Sequence, residues 1–500
     1  MFPKNYQSLV SIVILILLLL VSTIVRIPYI FNYPLEFDPQ RDFITSKYMV
    51  TQGAFPTVGP NSKYVNNFVS SPIYYYLLAP FFIISGDMRI LTVVTVILQV
   101  FAIVMIFLIG RIWFGTATGL FAAWLFGMNP AMIRFSGKMI NPTLSMWFII
   151  CAYLFLAYSQ SHKRPTLAIL GLLWYAIALH IHWGAITALP SMVLLFFLCS
   201  PFGWQQKRVK LLLGFIGLLF VWVFLPVTTV FYAYQHKASS SLLQFVEHVP
   251  QTIDIFLWTV STLLRNKTIV EGSILLTLLW IHLRLAKSSN RPFVVRWVAI
   301  ELSVLLPILA VALASPSDIS NYFNPAYPLW FVLIAAAATG FFSGKHKVLC
   351  QAIATTFVVT NFFITTNTPP NYWDNAKGVD AMVTRIRQEQ EHLHSTKRSQ
   401  ANAFPVYRVF ATSLIPDYLI MDLLATQLGV QTMRVIEGGK VIALLGDSEY
   451  IFVTCYTNIA HDTNIVKDES ACRESAKRLA GYTVEKTITI PSFSTILLLH

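Results

Sequence analysis

Three carboxylates and one guanidinium fall within seven residues. They are Glu36, Asp38, Arg41 and Asp42, in the string Leu35-Glu-Phe-Asp-Pro-Gln-Arg-Asp-Phe43. Such a group can take a proton from a hydroxyl, hold a divalent cation or orient a phosphate. Acids are scarce around it: residues 1–366 hold 9 Asp+Glu against 23 Lys+Arg. On composition alone the string also reads as a solvated loop beside lipid headgroups. The elements that carry it, and the segments that follow, decide between the two readings.

The chain has 500 residues, of which 56% are hydrophobic and 12% charged, with a mean hydropathy of +0.62. A soluble domain carries about 25% charged residues, so a soluble globular protein is excluded, and so is a disordered chain. Apolar runs long enough to cross a bilayer, at about 20 residues each, lie near 8–27, 89–109, 117–134, 142–159, 166–182, 184–200, 211–232, 270–286, 293–314, 324–342 and 346–366. That predicts eleven transmembrane helices. The first run is too long for a cleaved signal and lacks a small-x-small site, so it reads as an uncleaved span.

Loop charge fixes the expected orientation. With the N-terminus inside, the inner segments hold 13 Lys+Arg, among them Lys163, Arg164, Lys207 and Arg208, and no Asp or Glu. Inner loops rich in Lys and Arg are what the positive-inside rule requires. The net charge of +13 is therefore a membrane signature and does not indicate nucleic acid. The expected topology is a multi-pass protein of the plasma (inner) membrane with a cytoplasmic N-terminus.

The outer side then receives a first loop at 28–88, further loops, and a tail from 367 to 500. The tail holds 13 Lys+Arg and 14 Asp+Glu and changes character after Pro369-Pro370. A helix is expected from Val379 to His394, and strands at Tyr407–Ala411, Thr432–Ile436, Tyr450–Val453 and Thr483–Ile490. The predicted organisation is a transmembrane domain at 1–366 and a soluble extracytoplasmic α/β domain at 367–500. Cys455 and Cys472 could pair in an oxidising compartment.

The acidic string is followed by Gly59-Pro60-Asn61-Ser62, then Pro72-Ile-Tyr-Tyr-Tyr-Leu77, then Ser85-Gly86-Asp87. In that order it resembles the first extracytoplasmic loop of the class C (GT-C) glycosyltransferases. More narrowly, it resembles bacterial relatives of the protein O-mannosyltransferases and of lipid A aminoarabinose transferase, whose loop reads Asp-x-x-Arg-Asp, a Gly-Pro-x-Ser turn and a Pro-x-Tyr-Tyr-x-Leu helix. Arg134 to Asn141-Pro142, His180-Ile-His-Trp-Gly-Ala185 and Asn321-Tyr322 match later segments in order. The resemblance covers roughly residues 1–366, and the tail carries no recognisable motif.

The resemblance implies a GT-C fold and a reaction. Such enzymes take a sugar from a polyprenyl-phosphate carrier at the outer membrane face. They pass it to a hydroxyl on lipid, glycan or protein, with inversion. Asp38 matches the catalytic base, which an acceptor hydroxyl needs. Arg41 matches an Arg that contacts the phosphate of the leaving group. Asp42 is either an acid supporting the base or a metal, or the partner of Arg41. Some relatives place a Lys just before the loop helix. This chain has Val69-Ser-Ser-Pro72 there, which leaves Lys63 and Lys138 to supply that charge.

Arg134 and Lys138 lie at the outer face in the expected topology, four residues apart, and share a face if that stretch is helical. Either could also be an ordinary interfacial cation. His180 and His182 stand two apart, on different faces of a continuous helix, so a joint metal site would need the helix to break. Tyr322 lines the site or belongs to an aromatic belt. Glu301, inside a span, is expected to pair with Arg296 or a neighbouring span. No metal ligand set is assigned; a divalent cation such as Mg or Mn stays open as a cofactor. Expected partners are the polyprenyl-phosphate sugar donor, the acceptor and the lipid bilayer, with no nucleic acid.

Three other readings compete. One is a glycan ligase of similar fold that moves a preassembled oligosaccharide. Another is a transporter or flippase, although no internal repeat of the kind transporters show is visible. The third is a non-catalytic receptor or scaffold. No nucleotide-binding glycine loop and no Ser-centred hydrolase elbow are present.

Overall fold

The computed structural model describes residues 4–31, 37–53, 55–56, 59–60, 71–199, 297–307 and 326–341, with scattered helical positions at 381–395 and the strands of the tail. The expected spans at 211–232, 270–286 and 346–366 lie outside the described residues. So do Glu36, Lys63, Tyr322 and Cys472.

The chain divides into two units. One comprises Met1–Ile30, Phe55–Pro80 and Leu91–Thr368; the other comprises Phe31–Ala54, Phe81–Ile90 and Pro369–His500. The first is helical. α1 (Lys4–Ile24) is the first expected span, and α2 (Ile27–Ile30) is a short turn after it. Leu9, Ile12, Ile16, Leu17 and Leu20 are each about half-exposed, as side chains facing lipid would be.

Among the described residues, two helices are long and apolar enough to cross a membrane: α5 (Arg89–Phe114) and α8 (Asn141–His162). On α5 the buried positions Thr92, Thr95, Val96, Gln99, Ile103 and Ile106 repeat at three- and four-residue spacing. They form the inward stripe of an otherwise apolar helix.

α6 (Thr116–Gly127) packs against α5 through glycine. A Cβ on Gly119 would stand 2.4 Å from the carbonyl oxygen of Phe107, and one on Gly110 2.9 Å from the Cα of Gly119. Backbone meets backbone there, an approach only small residues permit. The single expected span at 117–134 is in fact two helices. α6 ends at Gly127, and α7 (Pro130–Phe135) starts anew, with Asn129 Oδ1 accepting the Met132 N–H at 3.1 Å as a cap. Pro130 has no N–H for a continuing helix but suits a first turn.

α8 and α9 (Pro165–Ile181) form a hairpin. Lys163 adopts a left-handed conformation at φ 54°, and Ser159 Oγ donates to the Arg164 carbonyl at 2.9 Å. Trp147, Phe148, Phe155 and Trp174 stack between the two helices at centroid distances of 5.1–6.3 Å. The expected span at 184–200 opens with a 3-10 turn, Trp183–Ala188, before α10 (Leu189–Cys199). α11 (Trp297–Pro307) and α12 (Tyr327–Phe341) are the remaining described helices of this unit. Ser191 Oγ donates to the Ser303 carbonyl at 2.7 Å, and the Thr118 and Thr339 hydroxyls lie 2.7 Å apart. These bonds tie α10 to α11 and α6 to α12.

The second unit contains α3 (Phe37–Gln52), the end of α4 (Ile73–Ile84) and the tail. The 12-residue α4 begins within the Pro72–Leu77 string, where the resemblance implies a helix. The described positions between 381 and 395 are helical, all but Ser395 inside the expected Val379–His394 helix. The tail forms a six-stranded sheet of order β3-β2-β1-β4-β6-β5. β1 (Val406–Val409), β2 (Thr432–Glu437), β4 (Ile451–Tyr456) and β5 (Val484–Ile490) fall on the four expected strands. The short β3 (Lys440–Val441) and the long β6 (Ser494–Leu499) were not expected. β1 pairs in parallel with both β2 and β4, and β6 runs antiparallel between β4 and β5.

Candidate active site

Asp38 stands in the first turn of α3 and Arg41 and Asp42 one turn on. Helical spacing therefore brings all three together. The Arg41 guanidinium bridges the two acids. Nη1 donates to Asp38 Oδ1 at 2.9 Å, Nε donates to Asp42 Oδ1 at 2.8 Å, and Nη2 stands 2.6 Å from that same oxygen. Exposure separates the members: the Asp38 side chain is 46% exposed, Arg41 15% and Asp42 0%.

Each group acquires a different capacity from this geometry. Asp42 is buried and held against Arg41, which favours the partner-of-Arg41 role among those the sequence left open. Asp38 spends one oxygen on Arg41 and presents its carboxylate at the surface, within reach of a hydroxyl. Arg41 brings a fixed positive charge within a turn of that carboxylate. A base next to a cation is what proton removal coupled to departure of an anionic group requires. Between the two acids Arg41 takes the position a bridging metal would need. Among the described residues no three His, Cys, Asp or Glu side chains gather as a metal ion would require.

Two further features shape this stretch. Lys47 is buried, with Nζ 5.3 Å from the Phe43 ring centroid, and Phe43 meets Phe82 edge-on at 5.3 Å. The Ser85-Gly86-Asp87 turn leads into α5, where Asp87 Oδ1 accepts the Arg89 N–H at 2.8 Å and Asp87 also pairs with the Arg89 guanidinium. Gly59 and Pro60 of the expected turn are buried.

The remaining candidates belong to the other unit. Arg134 is exposed in the last turn of α7, and Lys138 is half-buried beyond it. α7 ends at Phe135, so the two do not share a helix face. A tight turn joins them instead, with Ser136, Gly137 and Lys138 N–H groups donating to the Ile133, Arg134 and Phe135 carbonyls at 3.0, 3.1 and 3.2 Å. His180 lies in the last turn of α9, and His182 is extended at φ −148°, ψ 121° between α9 and the 3-10 turn. The helix does break between them. Tyr175 secures that break, its hydroxyl donating to the Ala185 carbonyl at 2.9 Å.

The sequence reading missed Arg26. It is fully buried just after α1 and reaches Ser136 in the turn between Arg134 and Lys138. An arginine at the end of an otherwise apolar span was the signal that could have found it.

Comparison with solved structures decides the fold. ArnT from Cupriavidus metallidurans bound to undecaprenyl phosphate superposes with a TM-score of 0.59 at 12% identity, over 99% of this chain and 98% of that one. The fold is that of ArnT. The apo state of ArnT, a lipid A aminoarabinose transferase and a GT-C enzyme, gives 0.58 at 12% identity over 97% of both chains. The described residues are mostly helical, with apolar helices, in keeping with the fold shared with ArnT. The Archaeoglobus fulgidus oligosaccharyltransferase reaches 0.48 at 14% identity over 84% of this chain and 62% of that one, too low to bear on the fold. No family model matches the chain, and no curated protein matches it by sequence.

Proposed function

We propose that this protein is an integral membrane glycosyltransferase that moves a sugar from a polyprenyl-phosphate donor to a hydroxyl at the outer membrane face. The observation that carries the reading is the Asp38–Arg41–Asp42 cluster on a chain with the fold of an enzyme seen with undecaprenyl phosphate. In this reading residues 1–366 form a domain of about eleven transmembrane spans and residues 367–500 an extracytoplasmic α/β domain, with the N-terminus in the cytoplasm.

The reaction is a single displacement. Asp38 takes the proton of the acceptor hydroxyl, and the oxygen attacks the anomeric carbon. The bond from that carbon to the phosphate oxygen breaks on the opposite face, so the configuration inverts. Polyprenyl phosphate leaves with the electron pair, its negative charge met by Arg41; Arg134 and Lys138, in the other unit, are further candidate cations for a donor phosphate. Asp42 holds Arg41 in place. The acceptor is a hydroxyl on lipid, glycan or protein.

The test uses the purified full-length protein in lipid, a panel of polyprenyl-phosphate sugars and a cell-envelope extract as acceptor. Release of free polyprenyl phosphate from one donor, dependent on the extract, is the expected result. Absence of release from every donor, together with no binding of undecaprenyl phosphate, would overturn the proposal.

A further inference from the structure

We propose that Arg26, acting through Ser136, positions the turn that presents Arg134 and Lys138, and so tunes phosphate binding without touching the phosphate. This rests on the reading above that takes those two cations as candidates to meet the donor phosphate.

The Arg26 guanidinium is fully buried and reaches three elements. Nη1 donates to the Ser22 carbonyl at 2.9 Å and to the Gly127 carbonyl at 2.8 Å; Nε donates to Ser136 Oγ at 2.9 Å. The two carbonyls lie at the C-terminal ends of α1 and α6, where helix dipoles place partial negative charge. That charge helps hold a cation which pairs with no carboxylate among the described residues. Glycine at 127 makes the convergence possible, since a Cβ there would stand 2.8 Å from Ser22 Oγ. Nη2 is buried with no hydrogen-bond partner. The site is therefore incompletely satisfied as a pure core feature, and leaving a buried polar group so is costly.

What Arg26 holds is the turn. Ser136 is fully buried, and its hydroxyl is used twice: the proton goes to the Met132 carbonyl at 3.2 Å, and a lone pair accepts from Arg26. The oxygen therefore cannot rotate freely. The next residue is pinned by shape, because a Cβ on Gly137 would stand 2.7 Å from Cδ1 of Tyr29. Two residues later the Met139 carbonyl accepts the Tyr74 hydroxyl at 3.1 Å. Consecutive tight-turn hydrogen bonds couple Ser136 to Arg134 on one side and Lys138 on the other. The buried members of the turn are clamped, and the exposed Arg134 is carried at one end of it, with the half-buried Lys138 at the other.

The experiment measures the affinity of the full-length protein in nanodiscs for undecaprenyl phosphate. Ser136→Ala removes the acceptor with little change in volume. It is expected to weaken binding roughly five- to ten-fold, the size of one hydrogen bond carried into an equilibrium, and to raise the donor KM while leaving kcat. Arg26→Lys keeps the charge but loses the fork, and is expected to weaken binding similarly. The double variant Arg134→Ala/Lys138→Ala should weaken it further, and adding Ser136→Ala to that background should cost nothing more. Full affinity in Ser136→Ala, with affinity lost in the double cation variant, would overturn the positioning role and leave the phosphate reading standing. A further loss on adding Ser136→Ala would also overturn it, since Ser136 would then act apart from the cations. Full affinity in the double cation variant would overturn both.

Discussion

At the scale of single residues, burial divides the labour in the acidic cluster. Asp38 and Asp42 share one arginine, yet one is half-exposed and the other sealed. Arg41→Lys should therefore do more than trim activity. A lysine keeps the charge but cannot reproduce the forked contacts, and a hydrogen bond lost to a buried carboxylate costs about 1.5–3 kcal/mol. The expected outcome is a lower thermal midpoint in detergent together with loss of turnover. Asp42→Asn should keep much of the stability, because Arg41 retains Asp38, and should lose turnover as the guanidinium swings from its place. Thermal unfolding and donor turnover measured on both variants check this. The cluster was legible because its members lie within one helical turn of each other in sequence. Arg26 was not, because Ser136 is 110 residues away and only the packing of helix ends unites them.

At the scale of elements, the apolar runs located helices well and breaks less well. Hydropathy averages over a window, so the run at 117–134 passed across Pro130 and the run at 184–200 passed across a 3-10 turn. Both come from backbone chemistry that hydropathy ignores: a missing N–H at Pro130, and a 3-10 turn through Trp183–Ala188 before α10 begins. The glycine contacts between α5 and α6 were equally hidden, since a glycine in an apolar run says nothing of what faces it. Gly119→Val is expected to drive the helices apart, with a loss of about 3 kcal/mol or more, at or beyond the upper end of ordinary overpacking because the clash is with backbone. A thermal midpoint several degrees below wild type would be seen in detergent. An unchanged midpoint would mean that the α5–α6 contact is not as close as described.

At the scale of the whole molecule, composition and loop charge pointed to a multi-pass membrane protein, and the order of motifs along the chain pointed to the fold found by comparison with ArnT. The tail shows where such reading thins. Four strands were legible from β-branched and aromatic runs, but β6 was missed. Its sequence, Ser-Thr-Ile-Leu-Leu-Leu, has no alternation, and its place between β4 and β5 depends on long-range pairing. The proposed topology has a direct check. A single cysteine placed at an exposed tail position such as Lys486 should react with a membrane-impermeant thiol reagent in intact cells, whereas one placed at Lys163 should react only after lysis. The reverse pattern would invert the orientation and put Asp38 on the wrong side for a lipid-linked donor.

The central claim is that a carboxylate on α3 removes the acceptor proton. The measurement that tests it most directly compares wild type with Asp38→Asn for release of polyprenyl phosphate under identical donor and acceptor concentrations. Asparagine keeps the shape and can still accept a hydrogen bond from Arg41, but it cannot take a proton. Turnover should fall by roughly 10²–10⁴-fold, the usual contribution of a general base, with affinity for undecaprenyl phosphate within a few-fold of wild type. Equal turnover in the two proteins would remove Asp38 from the mechanism.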